Sequence, residues 1–328
     1  MAWKILITAT PMVRVGRAAC ELLAAAGCEV VIEPRGALAG EELTALLTGV
    51  DAVIAGGADH YTAAVLAAPA AARLKIISRW GVGYDAIDLA AATRQGVVVA
   101  YTPGLTDAAV ADYTLALLLA LARNIPAGQA TMRAGLWQPE WGSDLAGQTL
   151  GLLGFGRIGR AVARRALGFD LRILAHDPHP HSEDVPPGVH FVTFDELLAQ
   201  SDFLSIHAAL TPRSRGMLGA AQFRRMKPTA RLINAARGAF VDEAALLQAL
   251  RGGWIAGAAL DVFNTEPLPA DDPLRTAPNI VLSPHQASSA TTTGERVSRA
   301  AAEAILDWQA GRRPAQVINP AVFAAPRL

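Results

Sequence analysis

The chain has 328 residues, 52% of them apolar and 18% charged, enough for two globular domains that each bury a core. Its 29 Lys and Arg balance 29 Asp and Glu, which gives no reason to expect nucleic acid or an anionic membrane as a partner. Cys20 and Cys28 both sit in apolar surroundings, which argues against a disulfide framework and against a metal site.

Met1-Ala-Trp-Lys-Ile-Leu-Ile-Thr8 enters a strand at once and lacks the architecture of a signal peptide. The longest apolar stretch, Tyr113 to Ala122, is too short to span a bilayer. A soluble, cytoplasmic protein is expected. Short apolar strands are predicted over 5–7, 30–32, 52–55, 76–78 and 97–99. Helical patterns lie between them, over 15–26 (stopped by Gly27) and 41–47 (stopped by Gly49). This alternation implies a parallel sheet covered on both faces. Tyr101-Thr-Pro-Gly104 is a turn cluster, and 107–123 reads as a helix apolar enough to be buried nearly all round, as a helix between two domains would be.

A strand beginning near Thr149 leads into Gly154-x-Gly156-x-x-Gly159, and a helical pattern follows at once. In that context the glycines have separate duties: Gly154 for the tight turn, Gly156 for room beside a pyrophosphate, Gly159 for close helix–strand packing. The helix N-terminus at Arg157 and Ile158 offers unpaired N–H groups and a positive dipole end to phosphates. A second strand ends in His176-Asp177, and Asp177 lies 18 residues past Gly159. There a carboxylate bonds a ribose 2′-hydroxyl and repels a 2′-phosphate, so the expected cofactor is NAD. Residues 178–181, Pro-His-Pro-His, add no Arg or Lys to offset that repulsion.

Further strands are predicted over 203–207, 231–234, 257–260 and 280–282, and a last helix over 292–310. Three segments at the carboxyl ends of these strands carry candidate chemistry: Leu232-Ile-Asn-Ala-Ala-Arg237-Gly238, Ala259-Leu-Asp261-Val-Phe-Asn-Thr-Glu266-Pro267 and Val281-Leu-Ser-Pro-His285. A guanidinium holds a substrate carboxylate in fixed geometry. A histidine exchanges a proton near neutrality, and a carboxylate bonded to it favours the imidazolium. Each residue also has an ordinary reading: Glu266 as a loop acid, His285 as a turn residue, Arg237 as a cation at a helix start. Beside a nicotinamide fingerprint, their joint occurrence points to hydride transfer on a 2-oxo acid.

The chain resembles the NAD-dependent D-isomer-specific 2-hydroxyacid dehydrogenases over essentially its whole length. The stretches that carry the resemblance are Gly81-Val-Gly-Tyr-Asp-Ala-Ile-Asp-Leu89, Thr102-Pro-Gly, Val110-Ala-Asp-Tyr, Leu145-Ala-Gly-Gln-Thr-Leu-Gly151, the fingerprint, His207-Ala-Ala-Leu-Thr-Pro212, Asn234-Ala-Ala-Arg-Gly-Ala-Phe-Val-Asp-Glu243, Asp261-Val-Phe-x-x-Glu-Pro267 and Pro284-His285. The resemblance implies an α/β fold of two doubly wound parallel-sheet domains. A Rossmann NAD domain (102–289) would be inserted into a flavodoxin-like substrate domain (1–101 and 290–328). It implies that Arg237 binds the carboxylate and keto oxygen, that His285 is the acid/base and that Glu266 is its partner. Backbone N–H groups around Val82 and Gly83 would hold the other side of the carboxylate. Asp261 would face the nicotinamide amide, with Ala235 and Ala236 flanking its ribose. A homodimer is implied too: Trp137 and Trp141 fall either in a dimer arm or in ordinary packing within the subunit.

Two positions depart from the family pattern. Asp112 stands where relatives more often carry Glu, and Gln286 follows His285 where a small or apolar residue is usual. Gln286 is therefore a candidate to touch substrate or tune His285. The loop Ala55-Gly-Gly-Ala-Asp59-His-Tyr-Thr62 has an acid and no Arg or Lys, where relatives acting on phosphorylated glycerate carry basic residues. A dianionic phosphate next to Asp59 would need a cation, and Arg79 is a thin clamp. The expected substrate is a small unphosphorylated 2-oxo acid such as glyoxylate or hydroxypyruvate. The alternatives are 3-phosphoglycerate, a one-carbon or phosphorus acid, and, from another class, a dinucleotide-sensing, corepressor-like binding protein. No regulatory domain is expected after residue 328.

Overall fold

A computed structural model describes residues 2–179 and 185–324. The chain divides into two compact units, Met1–Thr106 with Ser289–Leu328, and Asp107–Ser288.

The first unit holds strands β1 (Lys4–Ile7), β2 (Glu29–Ile32), β3 (Ala52–Ala55), β4 (Ile76–Arg79) and β5 (Val98–Ala100). They pair in the order β2-β1-β3-β4-β5, all parallel, which is the flavodoxin-like order. Alternation along each strand feeds two cores, one on each face. Ile5 and Ile7 join Ala52, Ile54 and Ile76 on one side, while Leu6 joins Val53, Ala55 and Ile77 on the other. Helix Thr291–Gln309 covers the first face with Val297, Ala301 and Ile305, one per turn. The helix predicted over 15–26 is two helices, Pro11–Val15 and Arg17–Ala25. They break at Gly16, where a Cβ would stand 2.5 Å from the Met12 carbonyl oxygen.

The second unit contains β6 (Thr149–Leu153), β7 (Arg172–His176), β8 (Val189–Phe191), β9 (Phe203–Ile206), β10 (Arg231–Asn234), β11 (Gly257–Leu260) and β12 (Ile280–Leu282). Their order is β12-β11-β10-β9-β6-β7-β8, parallel throughout. The order reverses around β6, so the crevice beyond its carboxyl end is the place for a dinucleotide. Leu150 and Leu152 face one core and Leu153 the other. β8 went unread in the sequence because a three-residue edge strand with an exposed face has little apolar pattern.

Helix Asp107–Ala122 is buried along most of its circumference, with a solvent stripe of Ala108, Asp112 and Ala116. A second helix, Ile125–Arg133, follows a left-handed residue, Asn124 (φ 48°), which the apolar periodicity did not reveal. Beyond it Trp137 and Trp141 are 85% and 91% exposed, so the reading that packs them within their own subunit is wrong. Among the described residues, no single helix is long and apolar enough to cross a membrane.

Candidate active site and dinucleotide cradle

The three fingerprint glycines differ in what constrains them. Gly154 takes φ +93°, and a Cβ there would lie 2.4 Å from the Ala208 nitrogen. A Cβ on Gly159 would lie 2.5 Å from the Gly154 carbonyl oxygen. The fold itself demands both glycines. Gly156, by contrast, has an ordinary φ of −73°, and a Cβ on it would meet nothing within 4 Å. It precedes helix Arg157–Ala166, whose first N–H groups have no partner inside the helix. Open space over bare N–H groups fits a pyrophosphate.

Asp177 follows β7 directly, and its carboxylate is already oriented. Oδ2 accepts from the Phe155 N–H at 2.8 Å and Oδ1 from the His179 N–H at 2.9 Å. The acid is thereby tied to the glycine turn that shapes the cradle. Pro180 and His181, read from the sequence as part of this loop, lie outside the described residues. His207, at the end of β9, donates its N–H to the Leu153 carbonyl. Its ring pairs Nε2 with Ser205 Oγ at 2.8 Å, and burial of the imidazole holds its pKa down to about 4. The crevice therefore carries a neutral histidine at physiological pH, a feature invisible in a strand pattern.

Arg237 lies after β10 on a turn shaped by the buried Asn234. The Asn234 side chain donates to the Arg237 carbonyl at 2.8 Å and accepts from the Ala236 N–H at 3.1 Å. Arg237 Nη1 donates to the Ala236 carbonyl at 2.7 Å, and Ala235, Ala236 and Arg237 are all half-buried. The next residue lets this turn reach its neighbour, because a Cβ on Gly238 would fall 2.0 Å from the Phe263 carbonyl carbon. The Phe263 N–H in turn donates to Glu266 Oε1 at 2.9 Å.

The other oxygen of Glu266 meets His285 Nδ1 at 2.6 Å. Burial alone would raise the Glu266 carboxyl. The bond to His285, its charge, the Phe263 N–H and the Arg237 guanidinium together outweigh burial and hold it below its ordinary value. An ionised Glu266 only accepts, so the proton between them resides on Nδ1. Nε2 is then the ring nitrogen left for an outside partner.

His285 adopts φ +50°, a conformation uncommon for a residue with a Cβ. Asp261 imposes it. The His285 N–H donates to the Asp261 carbonyl at 2.7 Å. The buried Asp261 carboxylate accepts from Ser283 Oγ at 2.6 Å, the Gln286 N–H at 2.9 Å and the Ala287 N–H at 2.8 Å. Burial nevertheless keeps the Asp261 carboxyl above its ordinary value. The sequence reading aimed Asp261 at the cofactor and missed this role as the centre of the 283–287 turn. It also missed Asn234 and Ser283, which are ordinary polar residues in a strand pattern.

In the first unit, β4 ends at the buried Arg79, whose Nε donates to the Gly83 carbonyl at 2.7 Å. The Gly81 N–H donates to Thr102 Oγ1 at 2.9 Å. Gly81 takes φ +115° beside the Arg79 guanidinium, leaving Val82 and Gly83 half-exposed. The nearby Asp59 corrects one expectation. It does not face outward against an incoming anion but is buried, accepting from Thr8 Oγ1 at 2.6 Å, the Gly56 N–H at 2.8 Å and the Leu38 N–H at 3.1 Å. Among the described residues, no group of three or more His, Cys, Asp or Glu is placed to hold a metal ion.

Comparison with known proteins agrees with this arrangement. Residues 115–287 match the D-isomer specific 2-hydroxyacid dehydrogenase, NAD binding domain. The chain is 44% identical over 260 residues to a glyoxylate reductase of Korarchaeum cryptofilum, covering 77% of this chain and 78% of that one. It is 38% identical over 291 residues to a D-3-phosphoglycerate dehydrogenase of Archaeoglobus fulgidus, covering 88% of this chain but 55% of that protein. The crystal structure of the TT0316 protein from Thermus thermophilus superposes with a TM-score of 0.87 at 40% identity, covering 96% of this chain and 99% of that one. The chain belongs to the D-isomer-specific 2-hydroxyacid dehydrogenases, NAD-dependent oxidoreductases acting on 2-hydroxy acids.

Proposed function

We propose that the protein reduces a small unphosphorylated 2-oxo acid of the glyoxylate or hydroxypyruvate type, with Arg237, Glu266 and His285 as its catalytic residues. The observation that carries this reading is the 2.6 Å contact of Glu266 with Nδ1 of His285, which leaves Nε2 for the substrate. NADH, when bound, supplies the hydride. His285 gives its Nε2 proton to the keto oxygen and takes it back in the reverse direction. Glu266 keeps the ring oriented through Nδ1. Arg237 holds the substrate carboxylate and keto oxygen. Gly154, Gly156, Gly159 and the N–H groups at Arg157 and Ile158 would hold the pyrophosphate of the cofactor, Asp177 its adenine ribose, and Ala235, Ala236 and Asp261 its nicotinamide end.

The unphosphorylated substrate is favoured by the absence of Arg and Lys from residues 55–62 and by the glyoxylate reductase relatives. Arg79 is engaged with its own glycine loop. The phosphoglycerate dehydrogenase relatives support 3-phosphoglycerate as the second reading. The exposed Trp137 and Trp141 support a homodimer in which this segment reaches a second copy, and a cytoplasmic location fits the same reading. Steady-state NADH oxidation against glyoxylate, hydroxypyruvate and 3-phosphohydroxypyruvate is the test. The kcat/KM for one of the first two should exceed that for the third by about tenfold or more. A reversed order would move the assignment to the phosphorylated acid, and no turnover of any would favour a dinucleotide-sensing binding protein.

A further inference from the structure

We infer that Tyr113 and Gln286 form a positioning pair that fixes the orientation of the His285 imidazole, an inference that rests on His285 being the proton donor. Gln286 Nε2 donates to Tyr113 Oη at 2.7 Å. The two residues are far apart in sequence but belong to the same unit, and each lies close to a point where the chain passes to the other unit: helix Asp107–Ala122 opens this unit and Ser288 closes it.

The need for a second anchor follows from the backbone. His285 sits in the left-handed region, which it does not favour by itself, so its neighbours must hold it there. Asp261 supplies one set of constraints, all converging on a single carboxylate and one carbonyl. A turn fastened around one group can still swing about it. The Gln286 side chain adds a second fastening, to a helix whose neighbouring residues Val110, Thr114 and Leu117 are buried. A phenol has only two side-chain torsions, and this one projects from a packed helix, so it is a rigid post. With both fastenings in place the 283–287 turn cannot rotate, and the direction of Nε2 is set from the backbone as well as by Glu266.

The test is a double-mutant cycle on the full-length protein with glyoxylate and NADH, using Tyr113→Phe, Gln286→Leu and the two combined. Misplacing a proton donor by a fraction of an ångström should lower kcat by about tenfold in each single variant, because errors near 1 Å cost about a hundredfold. The KM for NADH should stay within about twofold, and Tm should hold, since one exposed hydrogen bond contributes little to stability. The double variant should be no slower than the slower single, because both substitutions break the same bond. Singles that keep wild-type kcat, losses that multiply in the double variant, or a fall in kcat matched by a fall in Tm would overturn the pairing. His285→Ala measured alongside separates the two layers. If it retains wild-type turnover, the proton-donor reading fails; if it is inactive while the Tyr113 and Gln286 variants are unaffected, only the pairing fails.

Discussion

The Glu266 carboxylate and the His285 imidazole, delivered by the loops after β11 and β12, meet at 2.6 Å. A half-buried acid holds one ring nitrogen while the other stays available, which is the arrangement a directional proton donor needs. Because Glu266 is held below its ordinary pKa, its charge stabilises the fold above the unfolded value near 4.3. That contribution is lost as pH falls through the lower native value. Glu266→Gln should therefore cost stability at neutral pH, with the difference from wild type vanishing in acid. It should also lower kcat, because the imidazole loses the carboxylate that orients its Nδ1. Paired melting curves and steady-state turnover check both effects. An unchanged kcat would show that the contact has no part in proton transfer.

The unequal glycines of the cradle give a sharper contrast. Gly156→Ala has room for its methyl group, so Tm should hold while the Kd for NADH rises by about tenfold or more, since the methyl group takes the space of the pyrophosphate. Gly154→Ala places Cβ on the Ala208 nitrogen at a positive φ and should cost about 2 kcal/mol or more of stability. Calorimetry with and without NADH measures both. A Gly156→Ala protein that binds NADH normally would remove this turn from the cofactor site.

Asp177 should make NADH the preferred cofactor over NADPH by about tenfold or more in kcat/KM. Asp177→Asn keeps a carbonyl oxygen as acceptor near the Phe155 N–H but removes the charge that repels a 2′-phosphate, so the preference should narrow. Equal use of the two cofactors by the wild type would contradict the role given to Asp177.

His207 adds a pH dependence of stability. Its native pKa near 4 lies below the unfolded value of about 6.5. The unfolded chain therefore takes up a proton first as pH falls. The stability contributed by burying a neutral ring is complete above about 6.5 and drains away toward 4. Denaturant midpoints across that window should fall more steeply for wild type than for His207→Gln. Parallel slopes would show that His207 does not titrate differently in the two states.

Most of the architecture is legible in the sequence because buried parallel strands are short apolar runs between helical periods. Leu150, Leu152 and Leu153 announce β6 in this way, and the spacing from Gly154 to Asp177 announces the cofactor. The edge strand β8 and the break at Gly16 escape, because neither changes the local pattern of apolar residues. At the site, Arg237, Glu266 and His285 are singled out by residue type and by their places at strand ends. What holds them is not. Asn234 and the Asp261 carboxylate act through backbone N–H groups, and Ser283 through its hydroxyl on Asp261, pairings that no side-chain pattern reports. Asp59 shows the converse: expected beside an incoming phosphate, it is a buried acceptor for the Gly56 and Leu38 N–H groups, because a charge in a glycine-rich loop can fold inward to satisfy the backbone.

The central claim is that His285 donates the proton, and His285→Ala with glyoxylate and NADH tests it most directly. The variant should bind NADH with wild-type affinity while kcat falls by about a hundredfold or more. A variant that keeps about a third of wild-type kcat at the same NADH affinity would contradict the claim.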